Sequence, residues 1–390
     1  MTALTSTMRM LAASLVLATS VVAAPTTATA GPTTAPVAFS VPSATVATPP
    51  RLPSNWAQRR QAAAARTGVG ASPVTGALES LIDPSEHQCA RSGASRFAAS
   101  QLAALTSEQL TFLVDSGVLD FPTYDALFFG TSGDPAYLLT TTSRARLERT
   151  FKAAQRFWDV NTSDVQLMAM HGGVLRDPVR LARLLTYAYG LSNEEAATYA
   201  RDVVSTVASI PALRAGDNPI FTFNAFAFTA EGDPTLAGVP DKVVVGDGAL
   251  TFLDSIGIGE VGSEALLSHE FAHHVQYEDD LFASPLTGAE ATRRTELMAD
   301  GFGTYFATHS RGLSLHAKRV LQAERSFYEI GDCDFDYPDH HGTPNQRLRA
   351  STWGADLATG AKVQGRILPA LALASQFDAV LPQFVAPDAG

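Results

Sequence analysis

Apolar residues recur at three-to-four spacing through Ala98–Leu119, Arg144–Trp158, Asp177–Tyr189 and Asn193–Val207, the period of helices that bury one face. Ser143 stands where the second of these would need an N-cap, and Gly190 where the third would stop. From Asn218 the pattern changes. NPIFTFNAFAFTA (218–230) and KVVVGDGALTFLD (242–254) are rich in aromatic and β-branched residues, which predicts strands. Helical spacing returns over 263–278, 289–309, 313–329, 344–358 and 366–380, with Ser263 as the expected N-cap of the first. The expected fold class is α+β and mostly helical, with a small sheet.

The N-terminus carries a different pattern. Arg9 precedes the apolar run Met10–Ala24, and Ala28-Thr29-Ala30 follows before Gly31, the layout of a secretory signal peptide over 1–30. The run is short for a membrane anchor, so export with release is expected. Residues 31–77 read as a Pro/Thr/Ala-rich linker or propeptide, broken by a short helical pattern at Asn55–Arg66. The compact body is expected to begin near Leu78 and to divide into a helical region, 78–215, and a region carrying the strands, 216–390.

Composition narrows the classes of partner. A net charge of −11 gives no electrostatic support for nucleic-acid binding. The last predicted helix holds only eleven residues between Arg366 and Asp378, too few to cross a bilayer, so no stable membrane insertion is expected once the signal is removed. An exported chain with two cysteines predicts a Cys89–Cys333 disulfide; the alternative, Cys89 as a thiolate on a metal, would leave Cys333 unpaired.

The chemistry concentrates in LLSHEFAHHVQYE (266–278), where His269-Glu270-Phe271-Ala272-His273 forms H-E-x-x-H. On a helix, His269 and His273 stand one turn apart and about 40° from each other, so both imidazoles can reach one Zn²⁺ while Glu270 serves as general base. A catalytic zinc needs a third protein ligand. The extended H-E-x-x-H-x-x-G-x-x-H form is absent, because Gln276 and Asp279 occupy its Gly and His positions. Downstream, TELMADGFGTYF (295–306) carries Glu296-x-x-x-Asp300 on another predicted helix. Glu296 is the expected third ligand, and Asp300 the carboxylate that orients a ligating histidine.

H-E-x-x-H followed by E-x-x-x-D on the next helix resembles the gluzincin class of zinc metallopeptidases. HEFAHHVQ (269–276), ELMAD (296–300) and HGTPNQR (341–347) are similar to motifs of the bacterial neutral zinc metallopeptidases. NAFAF (224–228) resembles a stretch of the membrane-embedded gluzincins that cleave prenylated proteins, whose membrane spans this chain lacks. The likeness covers roughly 218–350 and leaves 31–215 without a counterpart. It implies a zincin-like core and a zinc metalloendopeptidase. His269, His273 and Glu296 would bind one Zn²⁺, Glu270 would be the base, and Asp300 would support the ligands. Zinc would lower the pKa of its water and polarise the scissile carbonyl of a peptide or protein substrate. His340 or His341 is the candidate second electrophile for the oxyanion. The likeness also implies an edge strand around Val243 and Val245, with Asn224 and Ala225 nearby, to which a peptide adds by backbone pairing.

Other residues invite plainer readings. His274 lies about 140° around the helix from His269 and is expected at the surface or in packing. Tyr305 is expected to pack away from the metal, and Gly301 and Gly303 to permit close helix approach. His87, His171, His309 and His316 are read as structural. DCDFDYPD (332–339) begins like a calcium loop but has Tyr337 and Thr343 where Gly and Glu belong, which weighs against Ca²⁺. Asn161-Thr162-Ser163 matches a glycosylation site. Two alternatives stand beside the peptidase: a non-catalytic secreted binding protein that keeps the fold, and a zinc amidase acting on cell-wall peptides. The first sits poorly with five intact site positions.

Overall fold

The computed structural model describes residues 49–69, 92–231, 233–331, 341–360 and 365–386. Its N-terminal helices are α1 (Trp56–Thr67), α2 (Gly93–Leu102), α3 (Ser107–Ser116), α4 (Phe121–Phe129) and α5 (Thr141–Phe157). Strand β1 (Gln166–Met170) then precedes α6 (Pro178–Tyr189) and α7 (Asn193–Ser209). Strands β2 (Ala225–Phe228) and β3 (Lys242–Gly246) lead into α8 (Asp247–Ser255) and α9 (Gly259–Glu278). The chain continues as α10 (Ala289–Thr308), α11 (Ala317–Ile330), α12 (Pro344–Thr359) and α13 (Ala370–Phe384). The fold is α+β, mostly helical with a small mixed sheet. Among the described residues, no helix is long and apolar enough to cross a membrane. The signal-peptide region, Cys89, Cys333, His87, His340 and the 332–339 acidic stretch lie outside the described residues.

The sheet runs in the order β1-β3-β2, with β1 parallel and β2 antiparallel to β3. All five residues of β3 are buried, as a strand covered on both faces requires. Alternation sorts the side chains. Met168, Met170, Phe226, Phe228 and Val244 enter a core shared with α1, α4, α6 and α7. Ala169, Val243 and Val245 enter a second core with α5, α9, α10 and α13.

The strands are shorter than both aromatic and β-branched stretches predict, and one strand forms where neither lies. Pro219–Thr222 is a 3₁₀ turn opened by the Asn218 side chain, and only 225–228 pairs. Beyond Gly246 the chain is helical, because Ala249, Phe252 and Leu253 fall at helical spacing and are buried together. β1 arose where helix was expected. QLMAM has no β-branched residue, and its pairing with β3 overrides local preference. That pairing also carries the sheet across the boundary expected at 215/216. Ser143 and Ser263 are not caps but lie inside α5 and α9, their hydroxyls donating to Thr140 O (3.4 Å) and Glu260 O (2.9 Å).

The expected linker contains a structural helix. Trp56 on α1 is 4% exposed, and its Nε1 donates to Asp115 O and Ser116 O at 3.0 and 3.1 Å. Arg59 donates to Tyr189 O and Gly190 O at 3.0 and 2.6 Å. The helix therefore satisfies carbonyls left open at the ends of α3 and α6, and the folded body begins well before Leu78.

Lys242 fastens the central strand. It is 0% exposed, and its Nζ donates to Leu127 O (2.7 Å), Gly130 O (2.9 Å) and Ala126 O (3.4 Å) at the end of α4. Burial pushes its pKa down to about 8 against the opposing charge of Asp241, so it remains a cation at neutral pH. Lys242→Met should strand three carbonyls and cost about 2–4 kcal/mol in denaturant unfolding at pH 7; an unchanged midpoint would contradict this anchoring role.

His171 and Asp247 follow the adjacent ends of β1 and β3. His171 Nδ1 lies 2.5 Å from Asp247 Oδ2, and Nε2 lies 2.9 Å from Leu138 O. Both partners accept, so both nitrogens must donate, and the ring is held as imidazolium. The Asp247 hydrogen bond raises its pKa above 6.5 despite partial burial. A raised folded pKa means that the contribution is complete below pH 6.5 and is lost as pH climbs through the folded value. NMR titration should find His171 above 6.5 and lower it in Asp247→Asn; no response to that substitution would remove the pairing.

Candidate metal centre

Helix α9 is buried nearly all round, with Leu267, Phe271, Ala272 and Val275 in the second core. Its remaining face holds His269, Glu270 and His273, at 4%, 5% and 8% exposure. Helix α10 returns antiparallel, so that Asp300 and Gly303 meet His269 while Thr295 meets Gln276. Gly303 permits this approach: a Cβ there would stand 3.0 Å from the His269 backbone nitrogen. Gly301 and Gly354 make a similar seam between α10 and α12, where a Cβ on Gly354 would collide with Gly301 O.

The approach brings three donor groups to one point. His269 Nε2 and His273 Nε2 are 3.2 Å apart. Glu296 Oε2 lies 3.3 Å from the first, and Glu296 Oε1 lies 3.4 Å from the second. Glu270 offers a carboxylate oxygen that lies with the two histidine donor atoms inside a 4.8 Å cluster, a grouping able to hold a metal ion.

Neighbouring groups set the ring orientations. Gln276 Nε2 donates to Thr295 O at 2.8 Å, which turns Gln276 Oε1 toward His273 Nδ1 at 2.9 Å. Nδ1 therefore donates to Gln276, which turns Nε2 into the cluster. On the other side, Asp300 Oδ1 lies 2.8 Å from His269 Nδ1, at ion-contact distance though outside aligned hydrogen-bond geometry. Asp300 is 0% exposed and is gripped in bidentate fashion by Arg347, with contacts of 2.8 and 2.7 Å. Arg347 NH2 also lies 4.0 Å from Glu296 Oε2.

The electrostatics favour a cation. Burial opposes charge on His269, but Asp300 and Glu296 outweigh it and raise its pKa to about 10. Burial raises Glu270, while the two histidines pull it down. Glu296 is raised by burial but ends well below its ordinary value, because His341 and His273 supply positive charge beside it. Glu270, Glu296 and Asp300 thus stand together against the Arg347 guanidinium and the surrounding imidazoles, an arrangement in which a proton on His269 or a metal ion can balance the carboxylates.

Several expected neighbours fall into different places. Val243 and Val245 are not on an edge: β3 is the central strand, and both side chains are buried between layers at 0% and 1% exposure. The edge beside α9 is β2, where Asn224 and Ala225 are half-buried and Ala225 pairs with Val245. His274 is in packing, 0% exposed, with its Nε2 donating to Lys242 O at 2.9 Å. Tyr305 packs in the second core and accepts from Leu368 N at 3.0 Å. His309 is buried with Nε2 3.2 Å from Arg366 O, and His316 occupies the N-cap position of α11.

The motif spacing assigns no role to Arg347 or Gln276. The Thr343/Gln346 capping box sets the start of α12 and thereby the position of Arg347, while the need of two buried acids for a cation is the signal that could have found it. No protein-family model, curated protein or solved structure matches the chain. Arg347→Met should leave Asp300 buried without its partner and cost about 3–5 kcal/mol in urea unfolding; a loss below about 1 kcal/mol would show that Asp300 does not depend on it.

Proposed function

We propose that this chain is a secreted, zinc-dependent metallopeptidase with a gluzincin-like site. The observation that carries the reading is the spacing of the three donors. A tetrahedral ion with bonds of about 2.0–2.1 Å needs donor atoms about 3.3–3.4 Å apart. The two Nε2 atoms are 3.2 Å apart, and each meets its own oxygen of the Glu296 carboxylate, at 3.3 Å (Oε2, from His269) and 3.4 Å (Oε1, from His273), spacings close to that requirement. Two imidazoles and one carboxylate form a donor set suited to a catalytic zinc, with a position left for water or substrate. When bound, zinc would supply Lewis acidity, polarising a carbonyl and acidifying water toward neutral pH.

The chain's own residues supply the remaining chemistry. Glu270 lies three residues before His273 and offers an oxygen within the same 4.8 Å grouping as the histidine nitrogens, and its burial-raised pKa suits it to take a proton from water and pass it to the leaving amine. Gln276 and Asp300 hold the two imidazoles with their Nε2 atoms facing inward. His341, whose charge acts on Glu296, is the candidate second electrophile for a developing oxyanion. The β2 edge, beginning at Ala225 beside α9, is the candidate strand for an extended peptide.

The test compares parent and Glu270→Gln protein for zinc content and for cleavage of an unstructured protein. Both should hold about one zinc, with cleavage falling about 10²–10⁴-fold in the variant. Equal cleavage by both would reject Glu270 as the base.

A further inference from the structure

The turn joining α9 to α10 places an aromatic ring beside the donor cluster. Phe282 is 41% exposed, and its ring centroid lies 6.3 Å from that of His273. It stacks on Tyr277 at 4.7 Å with the planes 11° apart. Tyr277, one helical turn beyond His273, also meets the His274 ring at 5.6 Å in an edge arrangement. The two stacked rings make an apolar wall that continues from the His273 ligand toward solvent.

The position of this wall is built into the turn. Asp280 takes the left-handed conformation at φ 51°, and Leu281 N and Asp280 N donate to Gln276 O (2.8 Å) and Tyr277 O (3.2 Å). These are the two bonds of a Schellman stop, here formed without glycine. Leu281 is 9% exposed in the second core, and its carbonyl accepts from Arg294 at 2.6 Å. Asp378 holds that guanidinium in turn with contacts of 2.7 and 2.8 Å. With Leu281 fixed through side chain and backbone, Phe282 is held over Tyr277 while much of its ring faces water.

We infer that Phe282 and Tyr277 form a side-chain subsite selecting an aromatic or large aliphatic residue next to the scissile bond. The inference rests on the peptidase reading. Successive Cα atoms are about 3.8 Å apart, so a substrate residue adjoining a carbonyl at the cluster reaches a ring 6.3 Å from His273. Its side chain would cover the exposed part of Phe282 and remove both apolar surfaces from water. Phe282 acts here as a specificity residue and has no part in proton transfer.

The test uses zinc-loaded protein and blocked octapeptides identical except for Phe, Leu, Ser or Lys at one position, with cleavage sites read by mass spectrometry. The parent should favour Phe or Leu beside the cut at least tenfold over Ser in kcat/KM. Phe282→Ala should reduce that ratio below about threefold, and Phe282→Glu, at a partly exposed position, should move preference toward Lys; zinc content should stay at one in both. A parent without preference, or the same preference in both variants, overturns the subsite and leaves the peptidase reading intact. If the parent cleaves none of the peptides, the peptidase reading falls and the subsite falls with it.

Discussion

Burying Glu270 and Asp300, with Glu296 half-buried beside them, around two imidazoles imposes the constraint on which the site depends, since carboxylates withdrawn from water need compensating charge. Arg347 neutralises Asp300 directly, and Asp300 then faces His269. A cation in the space among His269, His273 and Glu296 would balance the other carboxylates. Asp300 and Glu296 raise the His269 pKa to about 10, which favours a proton on that ring. A metal must displace that proton, so the group that prepares the cluster for a cation also makes cation binding depend on pH.

The wider fold serves this arrangement. The sheet supplies a rigid layer against which Leu267, Phe271, Ala272 and Val275 of α9 pack, leaving only the histidine face for chemistry. Lys242 links that layer to α4 through its side chain and to α9 through its carbonyl and His274. The glycine seams at 301, 303 and 354 let α9, α10 and α12 approach closely enough to place Glu296, Asp300 and Arg347 on one cluster. A larger residue at Gly303 would press on the backbone of His269 itself.

Much of this was legible along the chain, for physical reasons that differ by residue. Helical periodicity located α9 and α10, and four-residue spacing put His269 with His273 and Glu296 with Asp300. The return of α10 across a ten-residue connection brought the two pairs together. Arg347 was not legible, because its partnership with Asp300 spans 47 positions and depends on how α12 crosses α10. The central place of β3 was hidden too: its partner β1 lacks strand-favouring residues and was read with the helices. Trp56 was hidden inside a linker-like composition, its value lying in carbonyls about 60 residues away.

The most direct measurement is metal analysis of the purified protein combined with X-ray absorption at the zinc edge. The account predicts about one zinc per chain, bound by two imidazole nitrogens and oxygen donors at about 2.0–2.1 Å, with the metal lost in Glu296→Ala. Absence of zinc after loading, or a bound zinc without imidazole ligands, would contradict it.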